Sequence, residues 1–162
     1  MKPISELFPS LSSPKKVVIT THQKPDADAM GSSLALCQYL TKKGHTVTVI
    51  SPTNWAGWVS WMNGASAVIN YEKQKDKADS ILDNTELLFC LDFNAFHRTK
   101  SLAEKLAKVS CIKILIDHHQ EPDLPSFHFG VSDTSKSSTS EMIYDLIKEA
   151  GDLSLIDISI SE

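Results

Sequence analysis

Cysteine is scarce in this 162-residue chain. The three present, Cys37, Cys90 and Cys111, stand far apart inside apolar runs, and no two form a CxxC pair. An odd number so spaced argues against a disulfide framework and predicts buried free thiols in a reducing cytoplasm. Basic charge is also in deficit: sixteen Lys and Arg face twenty Asp and Glu, for a net charge of −4. That balance disfavours a protein that coats long nucleic acid with a general basic surface, yet leaves room for a local pocket taking a short phosphorylated substrate. No apolar run approaches the ~18–20 residues needed to cross a bilayer. The opening MKPISELFPSLSSPKK lacks the apolar stretch of an export signal. Walker A, GxGxxG and GxSxG patterns are missing as well. A nucleoside triphosphatase, a dinucleotide-dependent dehydrogenase and a serine hydrolase therefore have no local support.

What is present, 41% hydrophobic and 22% charged residues, suits one compact domain with a substantial core. Val17–Thr20, Thr46–Ile50, Leu87–Leu91 and Ile112–Ile116 are short, nearly continuous apolar runs, as expected of parallel strands covered on both faces. His128 falls in FHFGV, whose alternation suggests a further strand. Helices are predicted over Ser32–Lys43 with a Gly44 stop, over Ser101–Val109, and over the highly charged Asp76–Leu82. The clearest helix is Ser138–Ala150, where Ser138 and Glu141 make a capping box, Ile143, Leu146 and Ile147 form one stripe, and Gly151 ends the element. The expected fold is α/β, a mainly parallel Rossmann-like sheet flanked by helices. The last residues, Asp152–Glu162, read as the opening of another element, which predicts a truncated catalytic lobe over 1–162 with a second, substrate-binding lobe absent from it.

Three predicted strands end in acidic or imidazole side chains. VVIT runs into His22, Asp26 and Asp28, LLFCL into Asp92, and IKILI into Asp117, His118 and His119. In an open parallel sheet the strand carboxyl ends share one edge, where ligands bind. Singly, each group has a structural explanation: Asp92 as a turn former, Asp26 and Asp28 as caps, His118 and His119 as a surface turn. Their joint occurrence at three strand ends favours convergence. Clustered carboxylates repel one another unless cations intervene. Carboxylates with imidazoles and no thiolate favour Mn²⁺, Mg²⁺ or a similar ion. The ligands suffice for two ions bridged by one carboxylate, a centre suited to phosphoryl displacement.

HQKPDADAMGS, from His22 to Ser32, resembles the first motif of the DHH phosphoesterase family, and Asp117-His118-His119 is similar to the motif that names it. Asp92 after its apolar strand resembles the second motif, and SSTSE from Ser137 resembles the downstream helix start. The resemblance implies that His22 and Asp26 bind one Mn²⁺, Asp28 and His118 the other, and that Asp92 bridges both. Mg²⁺ or Co²⁺ would be the expected substitutes for Mn²⁺. His119 would face the scissile phosphate, and Asp117 would orient the histidine pair. The implied activity is hydrolysis of short RNA or DNA oligonucleotides or of 3′,5′-adenosine bisphosphate by a two-metal hydroxide mechanism, most like the oligoribonuclease and pAp phosphatase branch. No membrane partner is expected, and a homodimer fits the resemblance. Rivals are a pyrophosphatase or exopolyphosphatase on the same scaffold and a non-catalytic nucleotide-sensing domain.

Other residues carry weaker signals. Arg98 is a candidate phosphate contact or a surface arginine at a helix start. Ser138 is a candidate phosphate site, since free N–H groups at a helix start favour anions, or simply an N-cap. His45 is expected to be solvated. Trp55, Trp58 and Trp61 recur at threes, a spacing expected to pack a short helix on the sheet, with base stacking as the alternative.

Overall fold

The computed structural model describes residues 1–161. Seven strands form one sheet: β1 (Lys2–Pro3), β2 (Lys16–Thr20), β3 (Thr46–Ser51), β4 (Ile69–Asn70), β5 (Leu87–Leu91), β6 (Ile112–Asp117) and β7 (Phe129–Ser132). Their order is β1-β7-β6-β5-β2-β3-β4 and every pairing is parallel. The helices are α1 (Ala27–Lys42), α2 (Lys75–Asp83), α3 (Ala103–Lys108), α4 (Thr139–Glu149) and α5 (Ile158–Ser161). The expected α/β fold is therefore the observed one, with no antiparallel pair among the described residues. None of the described helices is long and apolar enough to cross a membrane.

Alternation along each strand divides the core in two. Val17, Ile19, Leu87, Phe89, Leu91, Ile114 and Ile116 pack with α1, α4, α5 and the 3₁₀ segment Ile4–Ser12 on one face. Val18, Leu88, Cys90 and Leu115 point to the other face, with Ala78 and Leu82 of α2 and Leu106 of α3. Covered on both sides, the central strands need apolar residues at every position, which is why they read as unbroken runs. Near the edge, Gly130 of β7 has no room for a side chain, because a Cβ there would lie 2.2 Å from the Leu115 carbonyl oxygen.

Several expectations are corrected. The first helix begins at Ala27, not Ser32, because the Asp26 side chain accepts the Ala29 N–H and opens the helix there. The Ser101–Val109 helix is two pieces, a 3₁₀ segment Phe96–Leu102, kinked within at Lys100 (φ 51°), and then α3. His45 is buried, not solvated: its Nδ1 accepts the Lys15 N–H at 3.1 Å. Burial, then the Lys43 and Lys15 charges, lower its pKa. Cys90 is buried as expected, but Cys37 and Cys111 are only partly so. Trp55 packs against the core, whereas Trp58 and Trp61 lie open to solvent. In the Ser138 capping box the serine accepts the Glu141 N–H, but the Glu141 carboxylate accepts from Ser137 rather than Ser138. Of the C-terminal stretch, Leu153–Leu155 is a 3₁₀ turn and Ile158–Ser161 is α5, while Glu162 lies outside the described residues.

Candidate metal centre

From β2 the chain continues to β3 and β4 on one side, then returns to place β5, β6 and β7 on the other. The reversal between β2 and β5 is a topological switch point, and loops leaving adjacent carboxyl ends there bracket a crevice. The loops after β2, β5 and β6 carry His22 to Asp28, Asp92, and Asp117 to His119. Donor atoms of His22, Asp26 and Asp92 lie within 4.8 Å of one another, as do those of Asp92, His118 and His119. Asp92 belongs to both groups.

Asp92 is 2% exposed and has a φ of 63°, a left-handed conformation that costs free energy in a non-glycine residue. Its backbone N–H donates to the Ile116 carbonyl, which pins the loop to β6. Its Oδ2 lies 3.5 Å from His22 Nε2, and its Oδ1 lies 3.3 Å from His118 Nε2 and 3.0 Å from the Thr139 hydroxyl that donates to it. Burial would raise the carboxyl pKa, but hydrogen bonds from His22 and Thr139 and the neighbouring imidazoles outweigh it and hold the group below the usual range. His22 moves the other way. Burial lowers its pKa, while the hydrogen bonds to Asp92 and the Gln23 carbonyl, with the Asp92 and Asp26 charges, raise it overall.

The ring nitrogens facing away from Asp92 are committed. Nδ1 of His22 lies 2.7 Å from the Gln23 carbonyl and Nδ1 of His118 lies 3.3 Å from the Lys136 carbonyl. A carbonyl only accepts, so each Nδ1 carries a proton, and a neutral ring then turns its Nε2 lone pair toward Asp92. Two lone pairs facing a carboxylate at 3.3 and 3.5 Å repel unless a proton or a cation lies among them. This donor set fits divalent metal, with the outer hydrogen bonds fixing each ring as metal-ligating histidines require. His119 is arranged differently. Its Nδ1 is 2.7 Å from Oδ1 of the fully buried Asp117, which leaves Nε2 as its free nitrogen. The second Asp117 oxygen is buried without a hydrogen-bond donor.

Asp28 sits apart from both three-residue groups. It accepts the N–H groups of Thr139 and Ser140, each at 2.8 Å, and the Ser140 hydroxyl at 2.6 Å, with His118 Nε2 at 3.8 Å from Oδ2. The first free N–H groups of α4 therefore meet a carboxylate from α1. Ser138 spends its hydroxyl as acceptor for Glu141 N–H. Arg98 meets the centre through its backbone, whose carbonyl accepts Gln23 N–H at 2.8 Å. In the sequence Thr139 and Ser140 figured only as part of the SSTSE motif, without a role of their own; their signal was that motif and their place behind an N-cap.

The DHH family, N-terminal domain, matches residues 16–160. A crystal structure of an exopolyphosphatase-related protein from Bacteroides fragilis superposes with a TM-score of 0.94 at 32% identity, covering 98% of this chain and 46% of that one. This chain thus spans about half of that relative's length. A structure of exonuclease RecJ bound to manganese has a TM-score of 0.55 at 15% identity, covering 93% of this chain and 39% of the other. RecJ from Thermus thermophilus in complex with Mn²⁺ gives 0.53 and 15%, with 91% and 20% covered. At such identity RecJ shares the fold. No curated protein matches the chain.

Proposed function

Because the chain belongs to the DHH family through its N-terminal domain, we propose that it is the catalytic lobe of a metal-dependent phosphoesterase acting on short oligonucleotides, 3′,5′-adenosine bisphosphate, or both. One observation carries the reading: Asp92 is shared by two groups of donors drawn from three strand ends. In this reading His22, Asp26 and Asp92 hold one Mn²⁺, and Asp28, Asp92 and His118 the other. Bound there, the ions would activate water and neutralise charge on the phosphoryl oxygens. The chain's own groups do the positioning. Carbonyls of Gln23 and Lys136 hold His22 and His118 with Nε2 forward. Asp117 accepts a hydrogen bond from His119 Nδ1–H, so that in the imidazolium form Nε2–H can donate to a phosphate oxygen or pass its proton to the leaving oxygen. Arg98 and Ser138 are secondary contacts for phosphate, and a second lobe, within the extra length seen in the Bacteroides fragilis relative, closes over the substrate.

The likeness to an exopolyphosphatase-related protein favours one alternative, hydrolysis of pyrophosphate or polyphosphate at the same centre. The full-length protein with Mn²⁺ is expected to release AMP from tri-adenylate, or phosphate from the bisphosphate, faster than it cleaves pyrophosphate, and chelator should stop it. Faster pyrophosphate cleavage would select the alternative. Metal analysis showing no bound ion, with no turnover of any of these substrates, would overturn the enzyme reading.

A further inference from the structure

Trp58 and Trp61 are each 64% exposed, against 50% for Tyr144. They sit in the segment between β3 and β4, which leaves the same carboxyl edge of the sheet as the metal centre. Successive i→i+3 bonds, Ser60 N–H to Gly57 and Met62 N–H to Val59, wind this segment in 3₁₀-like turns. Residues three apart then share a side. Val59, fully buried, and Met62 form the anchoring side, while Trp58 and Trp61 form the outer one.

The segment is tied to the centre at two places. The Thr53 hydroxyl accepts the Lys24 N–H at 2.7 Å, inside the His22–Asp26 loop. Met62 lines a cavity of about 550 Å³ that runs along α1 and α4 to Asp28. Farther along, the Gly64 position lies against Leu34 of α1, eight residues or ~12 Å of helix from Asp26. The aromatic pair therefore belongs to the same segment as Met62, which shares a cavity with Asp28. Lys24, whose N–H binds the Thr53 hydroxyl, is exposed, with no ion pair among the described residues.

We infer that Trp58 and Trp61 form a base-stacking platform that selects nucleotide substrates over bare polyphosphate, with Lys24 meeting an intervening phosphate. The inference rests on the phosphoesterase reading for its substrate, but not for its binding test. Every base offers a π-face, so stacking supplies affinity without sequence choice. A second copy of the chain is the poorer occupant: two indoles offer at most roughly 500 Å², below the ~800 Å² per partner of a stable dimer.

Calorimetric titration with phosphorothioate-linked tri-adenylate and with tripolyphosphate, in Mn²⁺, tests it. W58A and W61A should each weaken tri-adenylate roughly 5- to 150-fold, the loss of one stacked base, and leave tripolyphosphate affinity as it was. W61F, which keeps a ring, should retain most of the affinity. Equal change for both ligands, no change for either, or a dimer that W58A dissolves while tri-adenylate affinity holds, would each overturn the platform. Hydrolysis of bis(p-nitrophenyl) phosphate, which carries no base, reports on the metal centre separately. If it proceeds while W61A binds tri-adenylate normally, only the platform falls. If it fails while tryptophan-dependent binding persists, only the phosphoesterase reading falls.

Discussion

At Asp92, a left-handed backbone, near-complete burial and three close partners coincide. Strain of this kind persists only where surrounding structure enforces it, here the Ile116 hydrogen bond and the fully buried Phe93 beside it. D92N keeps the shape and removes the charge and one acceptor. We expect Mn²⁺ bound per chain, measured by elemental analysis, to fall to one or none, and hydrolysis to drop by at least ~100-fold. A D92N protein that keeps both ions and its rate would remove Asp92 from the centre. Thr139→Val is the gentler probe. It deletes the hydroxyl that donates to Asp92 Oδ1 and should weaken Mn²⁺ by about tenfold, the usual effect of an outer partner. Asp92 was legible in the sequence as an acid after an apolar strand. Thr139 was not, because its partner is 47 residues away and the contact exists only once α4 docks on α1.

Among the elements, α1 packs on α4, α5, β2, β3 and β5. Its N-terminus sets Asp26 at the centre and Asp28 beside it against the start of α4, and its other end is tied to the C-terminal segment: Asp152 accepts from Tyr39 and pairs with Lys43, both at 2.6 Å. The Lys43 ammonium, then the Tyr39 hydroxyl, hold the Asp152 carboxyl below its usual range. A group whose folded pKa is depressed stabilises the fold above its unfolded value, and that contribution is lost as pH falls. In urea unfolding, wild type should exceed D152N by about 1 kcal/mol or less at pH 7, a small value because the pair is partly exposed. The excess should vanish as pH drops below ~4; one that grew with acidity would contradict the assignment. Gly130→Ala tests the β6–β7 pairing. The added methyl collides with backbone at Leu115, and overpacking should cost about 1–3 kcal/mol in the same assay. Helix α4 was readable because cap, stripe and terminating glycine agree. The start of α1 was misplaced because Asp26 reads equally as turn or cap, and only the folded loop makes it accept Ala29 N–H.

For the whole molecule, metal and fold stability are linked. Ions that bind only the folded centre stabilise it by about 2.7 kcal/mol at a hundredfold excess over Kd, or roughly 5–10 °C in Tm for a domain of this size. Scanning calorimetry with and without Mn²⁺ should show that rise, and chelator should reverse it. An unchanged Tm at saturating Mn²⁺ would leave the acidic cluster without its cations.

The primary chain alone determined that the sheet is parallel and that its acidic and imidazole residues gather at the strand ends. Burial on both faces forces unbroken apolar runs, and the residue just past each run falls on the shared edge whichever way the strands are ordered. Only the tertiary structure decided which groups meet. Placing β2, β5 and β6 side by side makes Asp92 the common member of two donor groups. Docking α4 on α1 gives its first N–H groups to Asp28, and winding the segment after β3 in 3₁₀ turns exposes Trp58 and Trp61. Those outcomes depend on strand order and helix docking, which are set by long-range packing that no local run of residues encodes.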